Sequence, residues 1–387
     1  MVEFKEWFYL KERESFTIDA KMNKNDAKFY FGRKEIDARL KSQIRRSFVE
    51  PGIPKIFIYG SYGSGKTQTL FHLDFYLKHD KKEHSKFDIK PIHLDIELGP
   101  KSTNKDVHLQ LMESLGRKTV VDWIDTVITR SKSQDINLDL KKIFESESFI
   151  EVAKSLKQGG DIGLLAWRWF CGYPLKPTDL QRLNTTRSLG DLGAGDLVNA
   201  LVGIGKLAEI NGYRIVFLID EMEQLGNVKF AENQEAIHNY IRKLSEPSNS
   251  SVGFIIAYFA SDPDNQHEIL TRADIRTRVG DHNYIEIPTL NMVENVQTFL
   301  NELLRELIDQ EKISKSSDGD VKKYQSTFPF TPESFQKLCE YSVQDPTKSL
   351  PRLIIKAINE CSISAWDEKK KIIDEKIIDE ICPLIFG

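Results

Sequence analysis

Nowhere among the 387 residues does an apolar run last long enough to cross a bilayer. The longest, Val252 to Ala260, falls well short of the roughly 20 residues that a spanning helix needs. The amino terminus, Met-Val-Glu-Phe-Lys-Glu, lacks a basic region followed by an apolar core, so no secretory signal is expected. The chain therefore reads as cytoplasmic, with no membrane partner. Cysteine is scarce: Cys171, Cys339, Cys361 and Cys382 are scattered without a CxxC or a matching histidine cluster. That excludes a disulfide frame and a zinc site, and predicts buried, reduced thiols. Nor does one charge dominate, since 54 basic and 58 acidic residues leave a net −4. Binding to nucleic acid through bulk positive charge is excluded, whereas a local patch is compatible with that average. Internal repeats and low-complexity tracts are also missing. What remains is an ordinary globular composition, 40% hydrophobic, 10% aromatic and 29% charged. The length fits two or three packed units, because single cores stop growing at about 250–300 residues.

The pattern divides this length. Residues 1–30, with Trp7, Phe8, Tyr9 and Leu10 ahead of a polar stretch, read as an arm that packs on the body or on a neighbour. Ile36, Leu40, Ile44 and Phe48 give Arg33–Phe48 a helical rhythm, which Pro51, Gly52 and Pro54 end. Strands are predicted at Lys55–Tyr59, Pro91–Ile96, Ile215–Ile219 and Val252–Phe259, with a fifth at Tyr284–Ile287. Runs that are apolar on both faces and separated by helices suit a parallel sheet covered on both sides. The fold class is therefore α/β, with a helical insertion at about 104–210 and an all-helical segment over 291–387. The first helix of that segment is marked by the Asn291/Glu294 start and by a stripe from Met292 to Leu307. Lys312–Ser326 is polar and predicts a loop, and the charged run Asp367–Ile372 predicts a solvated helix face.

Two segments carry chemistry. Gly60-Ser61-Tyr62-Gly63-Ser64-Gly65-Lys66-Thr67 is a complete GxxxxGK[ST] phosphate loop between an apolar strand and a helix. Its glycines let successive N–H groups turn inward around phosphate oxygens, the helix N-terminus adds partial positive charge, and Lys66 supplies a point charge. Thr67 is the expected magnesium ligand, and Gln68 completes the nucleotide-binding stretch. Ile215–Ile219 then delivers Asp220 and Glu221 where a buried strand leaves the sheet, a Walker B segment. Asp220 is expected to orient the magnesium shell and Glu221 to polarise the attacking water, because in-line phosphoryl transfer depends on positioning and charge neutralisation. An Asn-Lys-x-Asp order does occur, at Asn23–Asp26, but it precedes the phosphate loop and the predicted fold and is not read as a guanine-reading tetrad.

With these motifs the sequence resembles an AAA+ ATPase. It is most similar to the origin-recognition and replication-initiator clade and to the related P-loop ATPases of bacterial phage-defence systems such as BREX. The resemblance implies a P-loop AAA+ nucleotide-binding domain over 31–290, with 291–387 as its lid. It implies ATP and Mg2+ as cofactors, a homo-oligomer with nucleotide at subunit interfaces, and either double-stranded DNA or a protein partner as the object acted on. Phe31-Gly32-Arg33-Lys34-Glu35 is similar to the clade's Gly-Arg box, which places Arg33 at the adenine pocket. The fourth strand runs into Ser261-Asp262, where the family carries a polar sensor; Ser261 is the candidate and Asp262 its neighbour. Ile275-Arg276-Thr277-Arg278 resembles the segment bearing the arginine finger, with Arg278 favoured over Arg276. Ser349-Leu350-Pro351-Arg352 is similar to the sensor 2 segment, which brings Arg352 to the nucleotide.

The sequence also departs from the family pattern. The interval between Lys66 and Asp220 is far longer than a compact core needs, and it contains Trp167, Trp169 and Phe170. These aromatics read either as a wedge for a partner or DNA, or as packing of the helical insertion. With the lid expected to run to Gly387, a winged helix after it is not expected. His93, Asp95 and Glu97 alternate along the second strand and fit a half-buried strand end. Two functions stay open: an assembly ATPase acting on DNA or a DNA-acting partner, and a slow nucleotide switch that is a scaffold for an effector protein. Kinase-type transfer to a small molecule is weaker, because no acceptor site is evident beside the loop.

Overall fold

The computed structural model describes residues 3–49, 52–79, 87–130, 140–144, 146–260 and 268–387. Five strands, β1 (Lys55–Gly60), β2 (Asp88–Asp95), β3 (Tyr213–Asp220), β4 (Val252–Phe259) and β5 (Tyr284–Glu286), form one parallel sheet in the order β2-β3-β4-β1-β5. The inner strands β1 and β4 are buried along almost their whole length. That is what β-branched and aromatic runs such as Ile56-Phe57-Ile58 achieve when helices cover both faces. Registers are regular: Ile92 lies opposite Phe217, Asp95 opposite Asp220, and Phe57 opposite Tyr284. β1 and β3 run the same way, so both deliver chain at one edge of the sheet.

Helices α1 (Lys34–Val49) and α2 (Lys66–His79) flank β1 in the chain. Between β2 and β3 lie α3 (Asn104–Leu115), α4 (Arg117–Arg130), α5 (Glu147–Gln158), α6 (Gly160–Phe170) and α7 (Ala194–Ile210). The start of α3 is fixed by a capping box in which Thr103 and Asp106 exchange side-chain-to-backbone bonds. Of the two readings of the aromatic cluster, the structure shows packing. Trp169 and Phe170 are fully buried with Phe149 and Phe144, and the Trp169 indole N–H donates to Arg187 O at 2.8 Å. Burying a side chain of the size of Phe170 stabilises by roughly 2–3 kcal/mol. Helices α8 (Ala231–Leu244) and α9 (Ala273–Val279) follow β3 and β4, and α10 (Val293–Leu307), α11 (Pro332–Val343), α12 (Pro351–Asp367) and α13 (Glu375–Phe386) complete the chain.

The chain groups into two compact units that differ from the linear division expected from sequence. One comprises residues 39–59 and 73–286, with the sheet and the insertion. The other joins residues 1–38, the phosphate loop and α2 as far as His72, and everything from Ile287 onward. In this second unit the arm is part of a core: Phe8, Leu10 and Phe16 are buried with Phe299, Leu303 and Ile358. Leu10 pairs with Ile308 in an antiparallel bridge, and the Trp7 indole N–H donates to Lys370 O at 3.0 Å. The polar stretch after α10 is not the loop expected. It contains short helices at Gln310–Ser314 and Gly319–Lys323, because Asp309 and Asp318 each accept from two backbone N–H groups at the start of a turn. The run after Asp367 is a turn and not a helix face, with Lys371 Nζ over the rings of Trp7 and Tyr9.

In the sheet unit, Lys55 begins β1 with its ammonium buried and donating to Glu246 O. Burial pushes its pKa down from 10.5 to about 8, with the nearby Glu246 charge opposing. The folded chain thus binds fewer protons here than the unfolded chain between pH 8 and 10.5, so this residue makes stability rise with pH across that window. Lys55→Met is expected to remove the rise, and the melting temperature of wild type and variant measured from pH 7 to 10 should converge at the alkaline end.

Candidate nucleotide-binding site

The second unit contains the phosphate loop. β1 runs out at Gly60, where a Cβ would lie 2.4 Å from Ile287 O and 2.8 Å from Ser64 Oγ, so no larger residue fits. Gly65 has φ +98°, a left-handed conformation that turns its backbone into the loop and that L side chains avoid. The Lys66 ammonium donates to Gly60 O at 2.9 Å and Ser61 O at 3.1 Å, and lies 5.6 Å from the centre of the exposed Tyr62 ring. Lysine is thereby folded back over its own loop, the position from which it meets an anion held there. Thr67, half-buried, follows at the start of α2. Thr69 was not singled out by the motif, yet its hydroxyl donates to Gly65 O at 2.9 Å and is hydrogen-bonded to Tyr30 OH at 3.0 Å. A threonine bonding back by four residues at a helix start was the available signal.

Three buried polar atoms around this loop have no hydrogen-bond partner among the described residues: Ser61 Oγ, Ser64 Oγ and Arg33 Nη1. Buried polar groups are almost always paired, and each orphan costs about 1–3 kcal/mol. Arg33 is only 6% exposed; its Nη2 donates to Pro288 O at 3.0 Å, while Nη1 lies 3.4 Å from where a Gly65 Cβ would be. Burial pulls this guanidinium below its ordinary pKa, with Tyr30 opposing, but arginine stays charged. A desolvated cation beside two orphaned hydroxyls and a lysine fits a phosphate group. The structure therefore places Arg33 against the phosphate loop itself. Gln68 is engaged elsewhere: its amide donates to Asp26 O at 2.9 Å and Phe29 O at 2.8 Å, which ties the arm to α2. Leu350, just ahead of α12, packs 3.1 Å from the Cβ position of Gly63, and exposed Arg352 stands in the first turn of that helix.

In the sheet unit, Asp220 ends β3 at 4% exposure and accepts the Glu221 N–H through Oδ1 at 2.9 Å. Glu221 is exposed and left-handed, φ 62° and ψ 26°. A non-glycine residue held there costs on the order of 1–2 kcal/mol, and such strain gathers at functional sites. Asp220 offers a hard oxygen donor, the chemistry magnesium takes. Phe259 N–H at the end of β4 donates to Glu223 at 3.2 Å; Ser261 and Asp262, the sensor candidates, lie outside the described residues. On α9, Arg276 is committed to Asp281 at 3.0 Å and to the Tyr284 ring. Arg278 donates to Asp274 O in its own helix, and among the described residues it has no ion-pair partner. Asp274 is also held by His238 at 3.0 Å, which anchors α9 to α8.

A parallel sheet, a phosphate loop after β1, an acidic end to β3 and a C-terminal helical region together make the α/β AAA+ fold. Among solved structures, the Aeropyrum pernix ORC2 protein in ADPNP–ADP complexes superposes with a TM-score of 0.50 at 14% identity, over 91% of this chain and 67% of that one. The A. pernix ORC1 protein in complex with DNA scores 0.45 at 8% identity, covering 95% of this chain and 69% of that one. Domain III of the Thermotoga maritima replication initiation protein DnaA scores 0.38 at 11% identity, covering 97% and 98%. The likeness to the first is one of fold, and the lower scores of the other two add nothing to it. No protein-family model and no curated protein matches the sequence. Among the described residues, no helix is long and apolar enough to cross a membrane.

Proposed function

We propose that this chain binds Mg-ATP on the loop Gly60–Thr67 and hydrolyses it in an assembly in which Arg278 of one copy serves the nucleotide of the next. The observation that carries the reading is the set of orphaned polar atoms, Arg33 Nη1, Ser61 Oγ and Ser64 Oγ, gathered with Lys66 where phosphates would satisfy them. Lys66 and Arg33 neutralise phosphate charge, and the loop N–H groups orient it. Thr67 and Asp220 would hold magnesium, which when bound draws charge from the phosphate oxygens. Glu221 aligns a water and accepts its proton. Ser261 is the proposed sensor of the terminal phosphate, and Arg352 the contact from the lid segment. Arg278 is given a role in trans because its guanidinium has no carboxylate partner among the described residues, whereas Arg276 does. The object acted on is proposed to be double-stranded DNA or a DNA-acting protein, on the strength of the resemblance to replication initiators and of the fold shared with the A. pernix ORC2 protein.

Steady-state ATP turnover per chain, measured against protein concentration with and without duplex DNA, tests this. A specific rate that climbs with concentration and rises again with DNA is expected. A slow, flat rate indifferent to DNA would assign the chain to the other class, a nucleotide-held switch that docks an effector protein.

A further inference from the structure

The Gly32–Lys34 turn is gripped by one carboxylate. Glu302, on α10 and 8% exposed, accepts the Gly32 N–H at 2.7 Å and meets the Lys34 ammonium at 2.8 Å. One turn earlier, Phe299 closes over the same backbone, and a Cβ on Gly32 would lie 2.9 Å from its own Cβ. The turn is thus seated on two successive contacts of one helix. Arg33 projects from its centre to Pro288 O and to the Gly65 backbone, with Nη1 unpartnered. Any shift of Arg33 toward a bound anion must move a turn whose Gly32 N–H is held by Glu302. Conversely, a displacement of α10 withdraws the guanidinium.

Resting on the nucleotide reading above, we propose that Glu302 is a positioning residue: through the Gly32–Lys34 turn it couples α10 to the number of phosphates bound at the loop. The buried charge of Arg33 distinguishes a triphosphate from a diphosphate by the additional negative charge, and Glu302 determines whether that charge is presented. Allosteric coupling of this kind is typically about 5–150-fold in affinity. The carboxylate form is the one that acts. Burial raises the Glu302 pKa, but the hydrogen bonds from Lys34 and Gly32 and the charges of Lys34 and Arg305 outweigh that and leave it net below its usual value.

Binding of ADPNP and of ADP, each with Mg2+, is measured by titration calorimetry on wild type, Glu302→Ala, Glu302→Gln, Arg33→Ala and the Arg33→Ala/Glu302→Ala double variant, with Lys66→Ala as the blank. Glu302→Ala is expected to weaken ADPNP by about 10-fold and ADP by under about 3-fold, and the double variant to lose no more than Arg33→Ala alone. Glu302→Gln, which keeps the shape and an acceptor for Gly32, should shift the ADPNP-to-ADP ratio by about 3-fold and provides the answer if the alanine variant does not fold. Equal losses for both nucleotides, an unchanged ratio, or additive losses in the double variant would overturn the proposal while leaving the nucleotide site standing. A wild type that binds neither nucleotide would overturn the site and the proposal together.

Discussion

Arg278→Ala is expected to lower ATP turnover by at least about 10³-fold while nucleotide affinity stays within about 2-fold, since an arginine supplied in trans acts on transition-state charge and not on ground-state binding. The two arginines of α9 are two residues apart, yet Arg276 is held by Asp281 and Tyr284, while among the described residues Arg278 hydrogen-bonds to the carbonyl of Asp274 within its own helix and to no carboxylate. A guanidinium held by its backbone, with no carboxylate of its own, is available to an anion on another chain. Mixing provides the decisive measurement. Copies carrying Arg278→Ala keep the acids and lack the finger; copies carrying Glu221→Gln keep the finger and lack the base. Equimolar mixtures should recover turnover that neither variant has alone, because some interfaces pair an intact finger with an intact base. A mixture as inactive as its components would show that Arg278 works within its own chain or not at all.

Glu221 should show the second large effect, with an unusual signature in stability. Glu221→Gln is expected to reduce turnover by about 10²–10⁴-fold with ATP binding retained, the range for loss of a positioned base. Glu221→Gly should be equally inactive, yet as stable as wild type or more stable by up to about 1 kcal/mol. Glycine relieves the left-handed strain at φ 62°, and its greater unfolded-state freedom offsets part of the gain. Thermal unfolding of the glycine variant checks this. A melting temperature well below wild type would mean that the carboxylate holds the fold, and that its backbone strain has no bearing on turnover.

The phosphate loop, the five strands and the helical C-terminal region were legible because each is written locally. Eight consecutive residues dictate the loop, and runs apolar on both faces dictate buried parallel strands. Gln68 shows the limit of that reading: adjacency to Lys66-Thr67 points to the nucleotide, but the side-chain amide donates to the Asp26 and Phe29 carbonyls instead. Arg33 was expected at the base and stands beside Gly65, since its direction is set by the Gly32 turn and by Pro288, far away in sequence. Glu302 gave no local sign at all, being one more acid on an amphipathic helix until its partners are known. The arm was read as docking on something; only tertiary packing says that Phe8 and Phe16 complete the core of α10 and α12.

That docking has a consequence for the birth of the molecule. The bond from Trp7 to Lys370 joins groups 363 residues apart. At synthesis rates of about 5–20 residues per second, Trp7 waits roughly 20–70 s on the ribosome before its acceptor exists. Until α10 is made Phe8, Leu10 and Phe16 have no core to enter, whereas the sheet and its insertion can already close on contacts made earlier. The nascent chain therefore carries an uncovered apolar arm until α10 and α12 are made, and the demand it places on chaperones falls on that arm.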